Sequence, residues 1–281
     1  MQLTRFTSVA RLLDPRYATN LAIILLAGGI GIVATLLQLS IGSSLIESLL
    51  WGIGAAAAVF FAWAISRELD PDHGSSAFVA AVIMIAAVLL VGEVPKMLPL
   101  IWLLISMRVI NRTTGLPSKL LDSLAVLTFG AWLALAEIWV YAALSALALL
   151  IDGALPPRRN QPLAMAGIGF LITLGAVALN PGLGDLYPSA GIIAFGMSVF
   201  FLPVTATSQR LVSTGDYTGE PLQGRRVQGG HGLALLSGNL IALGAGTAGL
   251  INLQPLWAAV LGTSLTWAAI QFRGRAKQRT P

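Results

Sequence analysis

Apolar residues run along this chain in long unbroken blocks, set apart by short polar stretches. Ten blocks stand out, at 21–41, 48–66, 76–92, 97–110, 120–136, 138–151, 163–180, 189–206, 232–251 and 255–272. None alternates with a period of two, which excludes the strands of a membrane barrel. Most approach the roughly 20 residues that a helix needs to cross hydrocarbon. A backbone in lipid must satisfy its own hydrogen bonds, so such blocks are helical. The expected fold is all-α: a polytopic membrane helix bundle of about ten transmembrane helices. The blocks at 97–110 and 138–151 are short and fit a locally thin bilayer or shielding by neighbours.

Ahead of the first block, residues 1–20 carry Arg5, Arg11 and Arg16, with Leu3, Phe6, Val9 and Leu13 near one helical face. This pattern predicts a basic amphipathic helix lying at the membrane interface. The organisation expected is therefore an interfacial segment over 1–20, a transmembrane domain over 21–272 and a basic tail over 273–281.

Residues 120–151 contain no strong turn signal, and charge decides whether they form one helix or two. With ten spans, Arg67, Arg108, Arg112, Lys119, Arg158, Arg159, Arg210, Arg225, Arg226 and the basic tail share one side, leaving Lys96 on the other. Merging the two blocks would scatter these residues against the positive-inside bias. Two helices are expected, with both termini cytoplasmic and the protein in the cytoplasmic (inner) membrane.

Composition narrows the classes. Of 281 residues, 56% are hydrophobic and 10% charged, against about 25% charged in a soluble domain. There is no cysteine, so disulfides, thiolate nucleophiles and thiolate metal sites are excluded. The net charge of +5 follows from the inside bias. The basic residues are scattered among loops without interleaved aromatics, so no nucleic-acid partner is expected. The partners expected are the lipid bilayer and a small-molecule or lipid substrate. Nucleotide-binding loops, zinc-protease helices and serine elbows are absent.

Two polar stretches carry the candidate chemistry, Arg67 to Gly74 and Arg108 to Asp122. In the first, Asp70 and Asp72 with His73 beside them could hold a magnesium ion on a phosphate-bearing substrate. In the second, Arg108, Asn111 and Arg112 could grip the phosphate, and Asp122 could act as a base. An ordinary reading stands beside this one: Asp70 caps a helix that opens at Pro71, and Asp122 complements the dipole of a first turn.

On the other side stand Glu47, Glu93, Glu137 and Asp185. Glu137, between two apolar blocks, is a candidate substrate contact. Asn239 is one of few polar groups at expected bilayer depth, where it could line a solute path or bond a neighbouring helix.

In size and number of spans the chain is similar to ten-helix metabolite transporters, a likeness of gross shape. The function expected is a small-solute transporter or permease. The alternatives are an integral membrane enzyme acting on a phosphate-bearing lipid, with magnesium as cofactor under that reading alone, or a non-catalytic membrane subunit.

Overall fold

The structure is a computed structural model, and it describes residues 3–11, 13–180 and 186–277, with side chains to 273. Asp185 and residues 278–281 of the basic tail lie outside the described residues. Ten α-helices follow in order: α1 (Ala18–Ser40), α2 (Leu45–Leu69), α3 (Gly74–Val91), α4 (Met97–Asn111), α5 (Leu120–Ala136), α6 (Val140–Ala154), α7 (Asn160–Leu179), α8 (Pro188–Thr207), α9 (Gly224–Asn252) and α10 (Gln254–Lys277). Among the described residues, α1, α2, α3, α7, α8 and α9 are long and apolar enough to cross a membrane. The chain is a multi-pass helical membrane protein. Residues 120–151 form two helices, parted at Glu137–Trp139.

Two local expectations change. Before α1, the helical structure among the described residues is one 3-10 turn, Leu3–Arg5, so the segment is not a continuous amphipathic helix. Its backbone is instead tied to side chains of α4 and α5, described below. Nor does Asp70–Pro71 open a helix. Asp70 closes α2, its N–H donating to the Ser66 carbonyl, and α3 starts after His73.

The chain divides into two compact units. Unit 1 comprises Met1–Leu12, Lys96–Gly196 and Ser208–Leu253, and unit 2 comprises Leu13–Pro95, Met197–Thr207 and Gln254–Pro281. In unit 1, α4 packs on α5, α6 and α9. Its centre is the fully buried Trp102, whose indole meets the Tyr141 ring edge-on at 5.1 Å and donates to Ser145 Oγ at 2.8 Å. That bond satisfies an indole N–H which would otherwise be stranded among apolar groups.

In unit 2, α2 packs on α1, α3 and α10, with buried Ser66 within 3.1 Å of the Thr263 hydroxyl of α10.

Small residues set the close approaches. At Gly230 of α9 a Cβ would stand 2.0 Å from Asn111 Oδ1 of α4, so any other residue would have to displace the Asn111 side chain. Gly246 breaks α9: its φ of 62° and ψ of −138° are not helical, and the Tyr187 ring lies against it. Glycine adopts this backbone without the Cβ penalty.

Candidate functional site

One end of unit 1 gathers the end of α4, the start of α5, the end of α6 and the start of α9. At its centre is Asp152, in the last turn of α6 and fully buried. A carboxylate there faces the negative end of the helix dipole, so it needs cations. Two arrive from distant parts of the chain. Arg112 donates from Nε at 2.9 Å and Nη2 at 2.7 Å to Asp152 Oδ1, and Arg226 Nη1 donates to the same oxygen at 2.8 Å. Ser118 Oγ donates to Oδ2.

The two guanidiniums are used differently. Arg226, 2% exposed, spends all its donors inside the protein. Besides Asp152 Oδ1 they meet the carbonyls of Ile110, Asp152, Leu155 and Pro156. An arginine has five N–H groups in a rigid fork, so Arg226 has none left. It closes the last carbonyls of α4 and α6, which have no partner within their own helices.

Arg112 caps α4 in the left-handed region at φ 51°, a conformation that costs a non-glycine residue roughly 1–2 kcal/mol. The bonds to Asp152 hold it there. Its Nη1 makes no hydrogen bond to a described residue.

Next to this pair is a cavity of about 420 Å³, lined by Asn111, Arg112, Arg159, Glu220, Gln223 and Arg226 among others. Arg159, half-buried, donates from Nη1 to the Ser118 carbonyl. Its other guanidinium nitrogens make no hydrogen bond to a described residue. Arg112, Arg159 and Arg226 thus face one buried carboxylate, Asp152, with Glu220 exposed on the lining. The cavity carries surplus positive charge.

The N-terminal segment lies over the same end. Asp122 Oδ2 accepts from Ser8 N (2.9 Å), Ser8 Oγ (2.7 Å) and Lys119 N (2.8 Å), and Oδ1 accepts from the Thr7 hydroxyl. The carboxylate caps α5 and pins the segment. Arg108 Nη1 donates to the Val9 carbonyl at 3.2 Å, and Thr114 Oγ1 to the Ser8 carbonyl at 2.8 Å.

The remaining sequence-predicted residues fall elsewhere. Asp70, Asp72 and His73 belong to unit 2, whereas Arg108, Asn111, Arg112 and Asp122 belong to unit 1. In unit 2, His73 Nδ1 meets Asp70 Oδ1 at 2.9 Å and Oδ2 at 3.1 Å. Burial pushes the Asp70 carboxyl up, against the lowering effect of His73. Among the described residues no three His, Asp or Glu side chains gather to hold a metal ion.

Glu137 pairs with Lys96 at 2.8 Å, at the opposite end of unit 1 from Asp152. Asn239 Nδ2 donates back to the Leu235 carbonyl at 2.8 Å. The cavity on that stretch of α9 is apolar, about 190 Å³, lined by Leu144, Leu236, Leu240 and Leu243 among others.

Asp152, Ser118, Arg159 and Arg226 are the site residues that sequence reasoning passed over. One signal was available: Asp152 ends an apolar block, where a carboxylate opposes the helix dipole and calls for a cation. No protein-family model, curated protein or solved structure matches this chain.

Proposed function

We propose that the protein is a permease for a small solute, with the cationic cavity of unit 1 as its mouth on the cytosolic side. One observation carries this reading. A charged, partly open cavity lies at the basic end of a membrane bundle, while the buried carboxylates beside it, Asp152 and Asp122, are saturated by hydrogen bonds and Glu220 is the exposed acid of its lining. A saturated carboxylate is poorly suited to take a proton from a substrate, so the surroundings favour binding over chemistry. The basic end faces the cytosol on the positive-inside bias.

The middle of α9 borders an apolar cavity in this conformation, so passage requires a second conformation that wets it. The native chain has no cysteine, which makes single-cysteine labelling direct. Gln223→Cys is expected to react with a membrane-impermeant maleimide from the cytosolic face of sealed vesicles. Asn239→Cys is expected to react, more slowly, with a small water-soluble thiol reagent. A residue 239 thiol inert from both faces, beside a reactive one at 223, would sink the permease.

The second reading, an enzyme acting on a phosphate-bearing lipid, draws on the Asp70–His73 pair. A carboxylate on Nδ1 orients the ring and would let Nε2 serve as a general base, and magnesium on Asp70 and Asp72 would belong here. Release of phosphate from phosphatidate in mixed micelles, lost in His73→Gln, would support it; no release by the wild-type protein would end it.

A further inference from the structure

Resting on the permease reading for its place at the membrane face, we infer that the solute carries a phosphate-class oxyanion, gripped by Arg112 and Arg159. Three features of unit 1 lead there.

The first is charge. Arg112 and Arg226 are both buried and share a single carboxylate. One positive charge is therefore uncompensated where water is scarce, and Arg159 adds a second on the cavity wall. An uncompensated buried charge is costly. Exposed Glu220 offsets part of this on the lining, and an anion in the cavity would neutralise the charge that remains.

The second is donor geometry. Arg226 cannot bind a ligand, because its five N–H groups end on Asp152 and on backbone carbonyls. Arg112 turns its Nε and Nη2 edge to Asp152 and keeps Nη1 in hand. Arg159 is held by one bond to the Ser118 carbonyl. The uncommitted donors thus belong to two guanidiniums that line one cavity from different loops. Guanidinium groups suit the several oxygens of a phosphate.

The third is rigidity. Ser118 links the two arginines, since its hydroxyl holds Asp152 and its carbonyl holds Arg159. Arg112, Asp152, Ser118 and Arg159 form one connected chain, and the left-handed backbone at Arg112 is held by that chain. Ordering these groups in advance lowers the cost of capturing an anion. Arg112 and Arg159 are assigned as binding residues, and Asp152 and Arg226 as the residues that position them.

The test is titration of the purified full-length protein in detergent with inorganic phosphate, at constant ionic strength set with chloride. Binding is expected, read by calorimetry and by a raised melting temperature. Arg159→Gln should lower the phosphate affinity at least tenfold while the protein stays monodisperse with an unchanged melting temperature without ligand. Arg225→Gln is the control for net charge: the side chain is exposed and lines a neighbouring cavity, so phosphate affinity should stay within about twofold.

No phosphate response in the wild type, or equal losses in the two variants, overturns the inference. Repeating the titration in nanodiscs containing phosphatidate separates the two sources of the same chemistry. Loss of the phosphate response there points to a lipid head group, and its persistence points to a free solute; both uphold the oxyanion. The permease reading fails separately: phosphate binding with no uptake of labelled phosphate or phosphate monoesters into proteoliposomes keeps the anion site and removes the carrier.

Discussion

Two buried carboxylates of this protein, Asp152 in unit 1 and Asp70 in unit 2, end helices in the same way and live under different rules. Asp152 is fully buried, between two guanidiniums and a hydroxyl. Asp70 is 8% exposed, and its close partner is the exposed imidazole of His73. The first has more positive charge around it than it needs, so it holds helices together and leaves surplus positive charge beside the cavity. The second is desolvated faster than its partner compensates, so its proton is the variable. The contrast teaches that burial alone does not make a carboxylate structural or reactive; the permanence of the opposing charge decides.

The largest effect that could break this comparison is loss of the Asp152 charge. Asp152→Leu strands two buried guanidiniums, and breaking a buried pair costs about 3–5 kcal/mol. The variant should accumulate poorly and melt well below the wild type in detergent. A normal melting temperature would show that Asp152 does not hold α4, α6 and α9 together.

A smaller effect is expected at Asp70, and its sign is opposite to that of an ordinary carboxylate. The folded protein holds the Asp70 proton to higher pH than the unfolded chain. Between the unfolded value, about 3.9, and the raised folded value the native state binds more protons, so stability falls as pH rises. Above that window the penalty stays. Melting temperature measured against pH should show this downward limb in the wild type, and Asp70→Asn should flatten it. An unchanged limb would assign it to another group.

The smallest effect is at the opposite end of unit 1. Lys96 is largely exposed where it meets Glu137, and exposed pairs contribute about 0–1 kcal/mol. Lys96→Ala should move the melting temperature by little. A drop matching that of Asp152→Leu would erase the distinction between a solvated pair and a buried one.

Much of the helix pattern was legible in the residues. The blocks expected at 97–110 and 120–136 correspond to α4 at Met97–Asn111 and α5 at Leu120–Ala136. The main departure is α9, expected from 232 and beginning at Gly224. Its first turns, Gly-Arg-Arg-Val-Gln-Gly-Gly-His, are too polar to announce a helix in lipid. They are helical because Arg226 finds its acceptors on α4 and α6, which no local pattern displays. The same holds for the site. Arg112 was legible as a candidate phosphate contact by residue type, while its link to Arg159 runs through Asp152 and Ser118. Asp122 was legible as a first-turn acid, but not as the anchor of Thr7 and Ser8.

The sequence alone determined that this chain folds as apolar helices in lipid, with its cations gathered in particular loops. It could do so because backbone hydrogen bonding in hydrocarbon is a local requirement, met residue by residue within each block. Only the tertiary structure decided which charges meet. Asp152 takes one arginine from 40 residues before it and another from 74 residues after it. Charge pairing depends on separation through space, and in a helix bundle that separation is set by which helix ends pack side by side.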